Sequence, residues 1–100
     1  MRIIENLRDQ YPKTLPVILE SKTIDLTRNK FLVPNDVTIT KFLIEIRKHM
    51  FSISSETAVY LITSDNTVVS STDEMSLVYS RHKEECGFLF LHVEKENVFG

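Results

Sequence analysis

The chain divides into blocks whose apolar residues recur with different periods. In residues 2–11, Ile3, Ile4, Leu7 and Tyr11 stand at helical spacing, and Pro12 ends the run. From Leu15 to Glu20 the period shortens to two. Leu15, Val17 and Leu19 fall on one face and Pro16 and Ile18 on the other, which predicts a strand with apolar groups on both sides. Residues 21–29 are polar and read as loop. Lys30-Phe31-Leu32-Val33 predicts a second short strand, closed by Pro34-Asn35-Asp36. Ile39, Phe42, Leu43, Ile46 and Met50 then mark one face of a helix. Thr38 can cap its first turn, and Arg47, Lys48 and His49 suit the negative end of its dipole. Residues 52–57 read as a Ser-rich loop. Ala58-Val59-Tyr60-Leu61-Ile62-Thr63 is almost continuously apolar, the pattern of a central strand covered on both faces. Residues 64–71 read as loop. Thr72, with Asp73 and Glu74, starts a helix to about Arg81 that turns Met75, Val78 and Tyr79 inward. Gly87 to Val93 predicts the last strand.

Helix, strand, strand, helix, strand, helix, strand is an α+β order. Two adjacent strands, a long crossover helix and an apolar strand imply a four-stranded mixed sheet with a helix across it. That is the ubiquitin-like β-grasp arrangement with an additional N-terminal helix. One hundred residues with 42% apolar content suit a single domain and a single core. Its parts are an N-terminal helix over 1–12, a core over 13–95 and a tail over 96–100. No internal repeat is visible.

A net charge of −2 argues against a general nucleic-acid binder, which needs a basic face to displace counterions. Cys86 is the sole cysteine, so no internal disulfide forms, and a reducing compartment is expected. Its neighbour Glu85 argues against a reactive thiolate. Met1-Arg2-Ile3-Ile4-Glu5 turns charged too early for a signal peptide, and no apolar run reaches membrane-spanning length. His49, His82 and His92 lack metal-ligand spacing, and no Gly-rich phosphate loop or nucleophile elbow is present. The chain reads as a non-enzyme with no cofactor and no metal.

Two features point toward chemistry. Gly100, the last residue, has no Cβ, so its carboxylate can enter a narrow channel and be attacked from any side. Pro16 and Ile18 face away from Leu15 and Val17, so something covers them: the first helix, through Leu7, or a partner. The pattern leaves both open.

At this point particular residues carry a resemblance. Leu15-Pro16-Val17-Ile18-Leu19-Glu20, Lys30-Phe31-Leu32-Val33-Pro34, Phe42 with Ile46-Arg47-Lys48, Gly87-Phe88-Leu89-Phe90 and the terminal Glu96-Asn97-Val98-Phe99-Gly100 resemble the autophagy ubiquitin-like modifiers. That is the family of the GABA-receptor-associated protein and its yeast counterpart. The resemblance runs from about Glu5 to Gly100. It implies that Gly100 is activated with ATP, carried as a thioester on activating and conjugating enzymes, and joined to the amine of phosphatidylethanolamine. A processing and deconjugating cysteine protease is implied as a further partner. So is residence in the cytoplasm and, once lipidated, on the autophagosomal membrane. The resemblance also implies binding of cargo receptors through aromatic-x-x-aliphatic peptides, which add beside the second strand. The first anchor pocket carries over to Leu7, Pro16, Ile18, Lys30, Leu32 and Phe88. The second carries over to Phe31, Val33, Pro34, Val37, Phe42, Glu45 and Arg47.

The chain departs from that pattern in places. It begins without a further short helix that the family usually has, and the loop between its first two strands is shorter. Thr14 stands where a basic residue is common. Glu45 stands where the second pocket usually has an aliphatic side chain, which predicts altered selectivity there. Val68-Val69-Ser70-Ser71 replaces a Pro-Pro pair, with no functional account. Two alternatives remain. One is a modifier joined to a protein lysine, whose relative typically ends Trp-Gly and lacks the Leu-Val-Pro strand end. The other is an unconjugated interaction module.

Overall fold

The period-two pattern of Thr14–Glu20 sets the two faces of the first strand, although Pro16 is buried along with its neighbours. Leu15, Val17 and Leu19 are buried under the helix layer, and Ile18 is half-buried on the opposite face. A computed structural model describes residues 13–51, 53–54 and 56–96. The expected helix over 1–12, Leu7 within it, and residues 97–100 of the tail lie outside the described residues. The elements in order are β1 (Thr14–Glu20), β2 (Asp25–Leu26), β3 (Lys30–Pro34), α1 (Ile39–Arg47), β4 (Met50–Phe51), β5 (Val59–Thr63), α2 (Met75–His82) and β6 (Leu89–Lys95).

The main sheet has the order β3-β1-β6-β5. β3 and β1 are antiparallel, with Leu15 opposite Val33 and Val17 opposite Phe31. β1 and β6 are parallel, with Val17 opposite Leu89 and Leu19 opposite Leu91. β5 runs antiparallel to β6, with Leu61 opposite Val93. The register places Leu15, Val17, Leu19, Phe31, Val33, Leu61, Leu89, Leu91 and Val93 on one face. There they meet Ile39, Phe42 and Ile46 of α1 and Met75, Val78 and Tyr79 of α2.

Four expectations need correction. Ala58–Thr63 is not a central strand: β5 lies at the sheet's edge, and β1 and β6 are central. Its apolar character is still explained, because the following loop folds back on it. Val69 N–H donates to the Leu61 carbonyl at 2.9 Å, and Val68 bridges Ile62. Met50 is not on the helix. α1 ends at Arg47, and Met50 and Phe51 form β4, which pairs with Asp25 and Leu26 in a small second sheet. Residues 21–29 are therefore not all loop. The last helix begins after Glu74, whose side chain makes no capping hydrogen bond, and Thr72 and Asp73 lie in the preceding turn.

The N-terminal ends of the two helices interlock. Ile39 N–H donates to the Asp73 carbonyl at 2.9 Å, Thr40 N–H to the Ser71 carbonyl at 3.0 Å, and Met75 N–H to the Val37 carbonyl at 2.8 Å. Each helix thus finds acceptors for its otherwise unsatisfied first-turn donors in the segment that opens the other. Thr38 completes the cap of α1, its hydroxyl accepting from Lys41 N–H at 3.2 Å. Before β6, Gly87 adopts φ 94, a left-handed region that favours glycine. The Tyr79 hydroxyl donates to its carbonyl and ties this turn to α2.

Candidate functional site

The sheet order leaves β3 as a terminal strand, and α1 starts five residues after it ends, so strand and helix form a corner. A cavity of about 330 Å³ opens there. Arg28, Phe31, Leu32, Val33, Pro34, Val37, Lys41, Phe42 and Glu45 line it. The floor is apolar and nearly fully buried: Phe31, Val33 and Phe42 all belong to the core. The Phe31 and Phe42 rings meet edge to face with centroids 5.8 Å apart, the geometry aromatic quadrupoles favour. Such a floor cannot shift easily, since core packing holds both rings.

Charge is confined to the rim. The Arg28 guanidinium lies 4.8 Å from the centre of the Phe31 ring, and its Nε donates to the Lys30 carbonyl at 2.9 Å. Lys41 and Glu45 follow each other by one turn on the outer side of α1. The Glu45 carboxylate is 3.1 Å from Lys48 Nζ, and both side chains are more than half exposed, at 57% and 66%. Its charge is therefore turned toward solvent, and the pocket meets chiefly its aliphatic stem.

Of the residues expected at the second pocket, Phe31, Val33, Pro34, Val37, Phe42 and Glu45 come together around this cavity. Arg47 does not. It follows Ile46, which faces the core, and its guanidinium donates to the Ser54 carbonyl at 3.3 Å, beside a separate hollow lined with Lys48, Met50 and Ile53. Arg28, Leu32 and Lys41 line the cavity without having been expected there. Lys41 was legible, because Val37, Lys41 and Glu45 stand at i, i+4 and i+8. Arg28 carried no comparable signal.

The residues expected at the first pocket are less uniform. Ile18 sits opposite Lys30 and Pro16 opposite Leu32 across the β1–β3 ladder. Phe88 precedes Leu89, which pairs with Val17, and its ring lies 6.4 Å from that of Phe90. Ile18, Leu32 and Phe88 are half-buried and Lys30 is exposed. Pro16 is less than 2% exposed and offers a ligand no surface. Leu7 lies outside the described residues, as does Gly100. The strand that leads to Gly100 is held to its last described residue: Glu96 N–H donates to the Ala58 carbonyl at 2.9 Å.

Among the described residues, no group of three or more His, Cys, Asp or Glu side chains is arranged to hold a metal ion. No helix among them is long and apolar enough to cross a membrane. One polar cluster joins the turn after β5 to the end of α2. Asp65 accepts a hydrogen bond from the buried Thr63 hydroxyl, which, with help from Thr67 and a smaller contribution from His82, holds its carboxyl below the usual aspartate range. His82 Nδ1 lies 3.4 Å from Asp65, close enough for an ion pair but without the geometry of a hydrogen bond.

A mixed β3-β1-β6-β5 sheet crossed by α1 defines a ubiquitin-like protein of the α+β class. A family profile described as "Autophagy protein Atg8 ubiquitin like" matches residues 2–100. The chain is 41% identical to Autophagy-related protein 8 of Dictyostelium discoideum over 102 residues, covering 98% of this chain and 83% of that protein. It is 37% identical to Autophagy-related protein 8d of Arabidopsis thaliana, covering 94% and 80%. The crystal structure of Trypanosoma brucei ATG8 superposes with a TM-score of 0.85 at 34% identity, covering 99% of this chain and 87% of that one. The chain belongs to the Atg8 family of ubiquitin-like autophagy proteins.

Proposed function

We propose that this protein is a substrate of the conjugation machinery, not an enzyme, and that its Gly100 carboxylate is joined to the amine of phosphatidylethanolamine. Its partners in that reaction are activating and conjugating enzymes and a cysteine protease that processes and deconjugates it. Two acyl chains hold a protein stably on a bilayer, at about 0.8 kcal/mol per buried methylene. The protein then passes from the cytoplasm to the autophagosomal membrane. There it recruits cargo receptors by binding aromatic-x-x-aliphatic peptides.

The observation that carries the recruitment reading is the apolar cavity beside the outer edge of β3. A peptide paired with that edge satisfies the strand's outward amide and carbonyl groups. Its aliphatic anchor enters the cavity over Phe31, Val33 and Phe42. The aromatic anchor falls toward Ile18, Lys30, Leu32 and Phe88. Burying an aromatic ring removes ~150–250 Å² from water, a gross ~4–6 kcal/mol at ~25 cal/mol per Å². After the costs of ordering the peptide, micromolar affinity, about −8 kcal/mol, is expected.

Titration of isotopically labelled protein with such a peptide tests this. Amide shifts should concentrate in Lys30–Pro34 and the first turn of α1. Shifts confined to other elements would refute this placement.

A further inference from the structure

The end of β6 sits inside a ring of short segments. Glu94 accepts hydrogen bonds from Thr23 Oγ1 at 2.8 Å and Lys22 N–H at 3.4 Å. Two residues beyond Thr23, Asp25 pairs with Phe51 of β4. On the other side, Glu96 donates to Ala58. Arg47, through Ser54, ties the intervening loop back to the foot of α1. β4 therefore lies at the same end of the molecule as the point where the tail leaves the sheet.

Phe51 is a large aromatic, 49% exposed. Its neighbour Met50 packs against the core, so strand alternation turns Phe51 outward. Residues on either side of it in the chain, Arg47, Lys48, Met50 and Ile53, line a hollow of about 300 Å³. An exposed aromatic ring on the same short segment as long cationic side chains suits the headgroup level of a bilayer, where rings lodge and cationic heads snorkel.

We infer that the surface around Phe51 is the face this protein turns toward the bilayer when it is anchored through Gly100. This rests on the proposed lipid conjugation. The tail length supports the assignment. Gly100 is only four residues beyond Glu96, and an extended chain spans at most ~3.3–3.6 Å per residue. The anchored carboxyl thus stays within roughly 14 Å of Glu96, which keeps this end of the molecule close to the bilayer. Charge does not supply the attraction. Arg47, Lys48 and Lys95 at this end are offset by Asp25, Glu56 and Glu96. Contact is therefore expected on phosphatidylcholine bilayers and should change little when anionic lipid is added.

The absence of tryptophan from the chain permits a direct test. Phe51→Trp places a single reporter on this face. Val68→Trp places one on a 62% exposed residue that bridges Ile62, beyond the other end of β5. Each is combined with Cys86→Ser and Gly100→Cys, and the terminal thiol is coupled to maleimide phosphatidylethanolamine in phosphatidylcholine vesicles carrying a brominated lipid. Chemical tethering separates orientation from enzymatic conjugation, which is scored independently on the natural Gly100 by mass. The expected result is blue-shifted, strongly quenched emission at position 51 and unquenched emission at 68, with or without phosphatidylserine. Equal quenching at both positions, or none at 51 in tethered protein, would overturn the assignment.

Discussion

Glu45→Val is the substitution that most sharply tests how the cavity works. In the free protein it removes the Glu45–Lys48 pair on the exposed side of α1, worth about 0.3–0.5 kcal/mol. It also places a β-branched residue in a helix, a further cost of about half a kcal/mol. Both losses fall on folding. Peptide affinity should move the other way. A polar rim gives way to a methyl-bearing one, so a docking anchor gains roughly 40 Å² of apolar contact, about 1 kcal/mol. One kcal/mol is about fivefold in Kd. The gain should scale with the reach of the anchor and be largest for Leu, smaller for Ile and smallest for Val. Calorimetric titration of three peptides differing only at that position gives the series for wild type and variant. Because Glu45 turns its charge toward Lys48, a gain far above tenfold would mean the carboxylate lies inside the bound pocket. Affinity unchanged across the three anchors would mean that Glu45 does not meet the anchor, and the cavity would lose its assigned role.

Two further outcomes follow from groups outside the cavity. Tyr79→Phe removes the hydroxyl that donates to the Gly87 carbonyl and should cost about 1 kcal/mol in urea denaturation, with the fold retained. Asp65 titrates below the ordinary aspartate range when folded, so its contribution is present above that range and is lost as pH falls through the folded value. Asp65→Asn should lower stability modestly in the neutral region and flatten the acid limb, so that variant and wild type converge as pH falls below about 4.

The parts of the fold that could be read from the sequence are those where one period persists for a full element. Leu15, Val17 and Leu19 mark β1 because a strand alternates, and Ile39, Phe42 and Ile46 mark α1 because a helix turns every 3.6 residues. The missed parts are too short or too dependent on partners. β2 and β4 have two residues each, and pairing with one another defines them, not any local pattern. Met50 kept the helical register of Ile39 and Ile46 although the chain had already left the helix at Lys48. β5 looked central because Val59–Ile62 is apolar on both sides. What protects its edge is backbone pairing with Val68 and Val69, which hydropathy does not encode. In the cavity, the strand end Phe31-Leu32-Val33-Pro34 and the helix start Val37 with Phe42 were legible because a sharp corner brings them together. Arg47 stands one step of helical phase beyond Ile46 and reaches Ser54, not the cavity mouth. Arg28 reaches it only through the close return of the β2–β3 loop.

The proposed conjugation turns on whether Gly100 is the group that becomes covalently joined. Purified activating and conjugating enzymes, ATP and phosphatidylethanolamine vesicles, read by intact-mass spectrometry, test it most directly. A mass gain equal to the lipid less one water, abolished in Gly100→Ala, is expected. A thioester on the enzymes without transfer to lipid would favour conjugation to a protein amine. No thioester at all, with enzymes active on another modifier, would contradict the claim and leave only a peptide-binding module.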